Sequence, residues 1–185
     1  MKELIQLYAD YNIQTNRALI EILETLSPEQ LTQDVGAYYR SILGIFNHML
    51  MTDASWMTRI ASFFPELADI VSAMPDTQWQ EFSAKWRESG GKFPEEMPFE
   101  TLEALKPVRF EMDNLMKAMV ETLTEEQFAT RLTWTSWRGD EVSKLAWHVV
   151  MHVFNHQTHH RGGLAVMLDI LGVDNDYSNL IAIEY

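Results

Sequence analysis

The sequence HVVMHVFNHQTHHRGG, residues 148–163, carries five of the chain's six histidines. Apolar residues at helical spacing around it predict a long last helix from about 143 to 171, which stops at Gly172. Residues four apart on a helix differ in direction by about 40°, so the five histidines share one side of this helix. They are His148, His152, His156, His159 and His160. Because Val149 and Met167 fall in or beside the same sector, we expect that side to turn inward.

Histidines on one helical face can bind a metal ion. Two of them four residues apart can direct their imidazole nitrogens at a common point, as in helical zinc sites. A single inward histidine is more often a hydrogen-bonded core residue. Five on one face, however, need partners for several buried imidazoles, and a metal ion supplies one. The spacing alone leaves three pairs open, namely 148/152, 152/156 and 156/160.

His48 is the natural third ligand, because one helix offers two nitrogens comfortably and the sixth histidine lies on the predicted second helix. Three neutral imidazoles without a carboxylate leave the ion its full positive charge and at least one open coordination position. That pattern is typical of catalytic rather than closed structural zinc sites. The spacing identifies no general base, and His152 or His159 are the candidates.

Helical periodicity dominates the rest of the chain and predicts an all-α fold. Three further long helices are expected, at about 2–25, 41–63 and 99–123. Pro107 should kink the third of them or mark its true start. The connection from 65 to 98, rich in proline and glycine, should carry one short helix at about 77–88. The sequence RLTWTSWRGDEVS, residues 131–143, is the one segment typical of a hairpin.

Composition narrows the function classes. The 185 residues form one predicted domain, 1–185, with an ordinary soluble composition. The chain has no cysteine, which excludes disulfides, thiolate metal sites and a cysteine nucleophile. Its net charge of -13 makes nucleic acid and anionic membranes poor partners. No apolar run approaches the roughly 18 residues of a membrane span, and we expect a cytoplasmic protein.

Two segments resemble a known family. SILGIFNHMLMTDASWMTRI, residues 41–60, and HVFNHQTHHRGGL, residues 152–164, are similar to the histidine-bearing helices of the DinB-like superfamily. This superfamily of damage-inducible metalloproteins includes bacillithiol and mycothiol transferases. In the first segment the likeness rests on a histidine, an acid, a tryptophan and an arginine: His48, Asp53, Trp56 and Arg59. The order of elements also fits, so the resemblance covers nearly the whole chain.

The resemblance implies an up-and-down four-helix bundle, often dimeric, with a divalent metal, commonly nickel or zinc. The implied ligands are His48, His156 and His160, which chooses among the pairs that geometry leaves open. His152 and His159 would then orient the ligands, line the cavity or act as acid or base. Gly163 departs from the family, which usually has glutamine there, and its missing side chain would widen the cavity or remove a polar contact.

Two functions follow from a three-histidine site. In the first, the metal activates a thiol cosubstrate or water, and the protein is a thiol S-transferase or hydrolase acting on a small molecule. In the second, the metal only ties the helices together in a stress-related binding or interaction protein. An open coordination position under a cavity would favour the enzyme, whereas a fourth protein ligand would favour the structural role.

Other side chains near the predicted site have simpler expected roles. Asp53 lies about 140° around its helix from His48, so a pairing with an arginine is the better interpretation. Three residues on the same side as His48 could form a polar wall: Thr52, Ser55 and Arg59. Trp134 and Trp137, in the hairpin-like segment, could roof the site.

Overall fold

The computed structural model describes residues 1–93 and 96–183 and confirms the predicted, predominantly helical class. Its helices are α1 (Lys2–Leu23), α2 (Pro28–Thr32), α3 (Ile42–Ala61), α4 (Ala68–Ser72), α5 (Trp79–Glu88), α6 (Leu102–Thr122), α7 (Glu125–Phe128) and α8 (Ala146–Ile170). Its strands are β1 (Arg131–Thr135) and β2 (Glu141–Leu145), and short 3-10 turns occupy Pro65–Leu67 and Leu180–Ala182. The four long helices begin and end within a few residues of their predicted bounds.

Side-chain caps begin several of these helices where the sequence places a serine or threonine. The Ser27 hydroxyl accepts from the Gln30 amide, the Gln30 side chain accepts in return, and Pro28 occupies the first turn. Ser41 caps α3 by accepting from the Gly44 amide at 3.1 Å. α6 runs through Pro107 from Leu102, so the proline does not mark its start.

The four long helices pack in a ring, in which α1 and α3 each contact both α6 and α8. Fully buried apolar side chains fill the space between them. Methionine is prominent among these side chains, which suits its role of filling irregular gaps. The buried examples on α3 and α6 are Met49, Met51, Met57, Met112, Met116 and Met119. Within the described residues, no helix is both long and apolar enough to cross a bilayer.

Contacts along the helices give their directions. Three contacts show that α1 and α6 are antiparallel: Lys2 with Glu121, Asp10 with Lys117, and Glu24 with Lys106. Three others show that α3 and the 3-10 turn after it run parallel to α6 and the residues that flank α6. They are Asn47 with Phe99, Asp53 with Arg109, and Glu66 with Gln127. The alternation of an up-and-down bundle therefore does not hold between α3 and α6, because both helices begin at the same end of the molecule.

The hairpin-like segment is a two-stranded antiparallel hairpin. Its register runs from Arg131 opposite Leu145 to Thr135 opposite Glu141, and Gly139 takes the left-handed conformation in the turn. The strand continues to Leu145, which is also the N-cap of α8. The expected start of the last helix at 143 is therefore wrong, because residues 143–145 bond to β1 instead.

A network of buried polar side chains lies between the long helices. Arg109, fully buried on α6, donates to Asp53 Oδ2 on α3 at 2.6 Å and to Asp113 Oδ1 at 2.8 Å. The predicted pairing of Asp53 with an arginine is confirmed, in its interhelical form. Burial alone would lower the pKa of Arg109, but the carboxylates of Asp113 and Asp53 raise it above its usual value.

The same network extends to α1 and α8. Asp113 accepts hydrogen bonds from the amides of Asn12 and Asn16 on α1, at 2.8 and 3.0 Å. Arg161 on α8 donates to Asn12 Oδ1 at 2.6 Å, and Gln157 donates to Asp53 Oδ2 at 2.5 Å. All four long helices therefore contribute side chains to one buried cluster. It holds two carboxylates, two guanidinium groups and the amides that bond to them.

Replacing Arg109 by methionine should lower the free energy of unfolding by about 3–5 kcal/mol, because two carboxylates would stay buried without their cation. The matched control is Lys106→Met on the same helix, whose pair with Glu24 is partly exposed. A surface pair of that kind is worth about 0–1 kcal/mol. Urea denaturation of both variants gives the comparison, and equal losses would contradict a dominant role for the buried pair.

Candidate metal centre

Three histidines converge where α3 and α8 pack against each other in antiparallel directions. His48 lies in the middle of α3, and His156 and His160 lie one turn apart on α8. The Nε2 atom of His156 is 3.3 Å from Nε2 of His48 and 2.9 Å from Nε2 of His160. One ligand atom from each of the three rings lies within 4.8 Å of the other two. These three nearby histidines could bind a metal ion.

The separations between the nitrogens suit a shared cation. Imidazole nitrogens bind zinc at about 2.0–2.1 Å, which places neighbouring ligand atoms about 3.0–3.4 Å apart around one ion. The two Nε2–Nε2 separations, 3.3 and 2.9 Å, are close to that range. Among the described residues, moreover, no hydrogen-bond partner reaches the buried Nδ1 of His156. Direct hydrogen bonds between the rings therefore leave the cluster incompletely satisfied, and its donor set fits a divalent ion.

The protonation of the triad also suits metal binding. Burial, together with the nearby His160 and His156, lowers the pKa of His48 to about 2. Burial and neighbouring histidines likewise lower the pKa of His156 to about 3 and that of His160 to about 4. All three rings are therefore neutral at physiological pH, which is the form that binds a metal.

Tyr39 lies against the triad and was not identified from the sequence. Its ring stacks on His48 with 4.3 Å between centroids, and its hydroxyl is 3.1 Å from His48 Nε2. Gly44 permits this approach, because a Cβ there would lie 2.0 Å from the Tyr39 carbonyl oxygen. Burial raises the pKa of Tyr39 to about 12, so its phenol is neutral. The one signal in the sequence was the glycine that follows the Ser41 cap.

The remaining histidines of α8 lie outside the triad. His152, His159 and His148 are exposed, so the expectation that the whole face turns inward is wrong. The rings of His159 and His160 are 4.9 Å apart, and those of His152 and His156 are 6.1 Å apart. Both outer rings therefore approach the triad, although no hydrogen bond links either of them to another described residue. The face is only partly buried because α3 covers one edge of it.

A cavity of about 210 Å³ opens beside His48. We call it the aromatic pocket after five of its lining residues: Tyr38, Tyr39, Phe82, Trp86 and Phe93. Thr52 and Ser55 line it as expected for a polar wall. Arg59 does not, because its guanidinium lies over the rings of Trp56 and Trp134.

The two tryptophans of the hairpin lie at different distances from this pocket. Trp134 packs against Trp56, whereas Trp137 at the hairpin tip contacts Trp86 with 5.6 Å between centroids. Only Trp137 therefore touches the pocket wall.

Gly163 does not line the aromatic pocket. A Cβ at Gly163 would contact Ile45 at an ordinary 3.6 Å. Its missing side chain therefore does not widen this pocket.

The chain was compared with curated proteins and with models of known protein families. No curated protein matches the chain. The model of the DinB family matches residues 1–182, which is nearly the full sequence and includes all three converging histidines. The chain therefore belongs to the DinB family.

Proposed function

We propose that the protein is a divalent-metal-dependent enzyme in which His48, His156 and His160 hold nickel or zinc. It would act on a small molecule, as a thiol S-transferase or a hydrolase. The observation that carries this proposal is the aromatic pocket, which opens at His48 and leaves room for a reactant beside this one of the three converging histidines. A purely structural metal site would instead be closed by protein ligands.

The metal and the chain would divide the chemistry between them. A bound divalent ion supplies a Lewis acid that lowers the pKa of a coordinated water or thiol towards neutrality. Because the chain has no cysteine, a thiol would have to arrive as a cosubstrate. The chain itself orients the ligands. Thr52 donates a hydrogen bond to the backbone carbonyl of His48 at 2.7 Å, on the side that faces the pocket.

Tyr39 is the polar group best placed to assist a reactant. Its neutral hydroxyl now points at His48 Nε2, and that acceptor is lost once the nitrogen binds an ion. The hydroxyl can then hydrogen-bond to a molecule in the pocket, which it also lines. His159 and His152, exposed beside the triad, are our candidates for the acid or base that exchanges protons with solvent.

The second candidate function is a metal-stabilised interaction protein of the stress response, without catalysis. One observation favours it, namely that the Tyr39 hydroxyl is close enough to the triad to close the site. The cavity beside His48 favours the enzyme. We further propose that the four long helices form a bundle that dimerises, as the family resemblance implies, and that the protein is cytoplasmic. The charge of -13 disfavours nucleic acid and anionic membranes as partners.

Replacing His48, His156 or His160 singly by alanine should remove most of the bound metal, because each would supply one of three ligands. His148→Ala is the matched control on the same helix, since His148 is exposed and outside the triad, and it should keep the metal. His152→Ala and His159→Ala should cost about 10–100-fold in affinity or activity if they orient ligands. Metal content is measured on protein purified without a nickel column. Full metal in His48→Ala together with loss in His152→Ala would place the site within α8 instead.

Replacing Tyr39 by phenylalanine separates the two candidate functions. The enzyme proposal expects metal affinity to change by less than about threefold, because the hydroxyl serves the reactant rather than the ion. Competition with a chelator of known affinity measures this. Weakening of more than about tenfold would mean that the Tyr39 hydroxyl supports the metal site, as a ligand or by orienting His48, and would favour the closed, structural site. Thr58→Val, which removes a hydroxyl on α3 away from the pocket, is the control.

Acid should destabilise the metal-free protein through the triad. The unfolded histidines bind protons near their usual pKa of 6.5, whereas the folded ones stay neutral down to about 4, 3 and 2. The stabilisation is therefore complete above pH 6.5 and is lost progressively as the pH falls below it. Urea denaturation with a chelator at pH 7.5 and 5.0 should show a larger loss for the natural chain than for a variant with glutamine at all three positions. Equal losses would contradict the burial of these rings.

A further inference from the structure

The walls of the aromatic pocket present ring faces rather than polar atoms. Tyr39 and Phe82 both pack against Phe93, with 5.2 and 5.4 Å between centroids. Trp86 donates its indole hydrogen to the Tyr38 hydroxyl at 2.8 Å, and that hydroxyl donates to the Gly91 carbonyl. The polar ends of both side chains are therefore bonded within the wall. These two side chains therefore present carbon and π-surface to an occupant.

The charge of the lining is equally informative. Among the described lining residues, none is an aspartate, glutamate, lysine or arginine. Thr52 donates its hydroxyl hydrogen to the His48 carbonyl, and its oxygen also lies 3.5 Å from His48 Nε2. Ser55 and Ser83 line the pocket with no hydrogen bond to another described residue, so their hydroxyls are available to one polar substituent. A charged group inside would exchange water for these walls without gaining an opposite charge, which costs binding affinity.

The size of the cavity limits its occupant. An apolar cavity of about 150 Å³ accommodates benzene, and pockets for drug-sized ligands measure about 300–1,000 Å³. At about 210 Å³, the aromatic pocket accommodates one six-membered ring with a small substituent.

We propose that the aromatic pocket binds an uncharged, single-ring aryl group and sets the substrate class of the site. Flat rings gain edge-to-face and offset contacts with the aromatic walls that saturated rings do not. The substituent of the bound ring lies towards His48 and the serine hydroxyls. For its catalytic meaning the inference rests on the proposed metal-dependent function, whereas binding of the ring itself does not require the metal.

Four probes of similar size test the proposal on the full-length chain, both metal-free and loaded with zinc. They are benzyl alcohol, benzoate, benzylammonium and cyclohexylmethanol, and dissociation constants come from ligand-observed NMR titration. In the metal-free chain, benzyl alcohol should bind at least about tenfold tighter than benzoate or benzylammonium, because the charged rings lose hydration without a partner. It should also bind more tightly than cyclohexylmethanol. A charged or saturated ring that binds as well as benzyl alcohol would overturn the proposal.

A blocking variant shows where the ring binds. Ser83→Phe on α5 should fill the cavity and weaken benzyl alcohol at least about tenfold. Gln80→Phe, an exposed position on the same helix, should leave its affinity unchanged. Ser55→Leu blocks the pocket from α3 and replaces Ser83→Phe if that variant does not fold. Undiminished binding in a folded blocking variant, or no binding of benzyl alcohol at all, overturns the proposal.

Metal content, measured separately, keeps the two proposals distinguishable. Binding of benzyl alcohol by a chain that takes up no zinc would support the pocket and refute the metal-dependent reaction. Zinc uptake by the triad without binding of the ring would refute the pocket and leave the metal site standing.

Discussion

The buried guanidinium of Arg109, held between Asp53 and Asp113, is the contact on which the arrangement of the helices depends. Burying two carboxylates and a cation is costly, and the geometry must be nearly ideal before their attraction offsets the loss of hydration. Sliding one helix past another by a turn would break these bonds and leave charges unpaired. The network therefore acts against wrong registers more than it adds to stability.

That register also places the metal ligands. Asp53 lies five residues after His48 on α3, and its partner Gln157 directly follows His156 on α8. Because the two helices are antiparallel, this hydrogen bond fits the register in which His156 and His160 lie opposite His48. The three imidazoles are consequently forced together in a poorly hydrated place, where none can be protonated near neutral pH. The three imidazole nitrogens lie close together and carry no positive charge, so the cluster is suited to binding a cation.

Sequence reasoning reached much of this structure because some features are local. Helical periodicity located the long helices, and the caps at Ser27 and Ser41 are determined by neighbouring residues. The three histidines that converge are those implied by family resemblance, whereas spacing alone left three pairs open. The choice depends on how α8 is rotated against α3, and that rotation follows from long-range contacts such as Gln157 with Asp53. Tyr39 was missed for the same reason, since it approaches His48 through a backbone contact at Gly44.

The passage from β2 into α8 has a mechanical consequence. No loop separates them, because Leu145 is both the last residue of the strand and the cap of the helix that carries His156 and His160. At its other end the hairpin presses Trp137 onto Trp86 in the pocket wall. The hairpin therefore connects the wall of the cavity to the N-terminal end of α8, the helix that carries His156 and His160. We therefore expect a displacement of α5 at Trp86 to reach α8 through the hairpin, because hydrogen-bonded backbone joins the two without a loop.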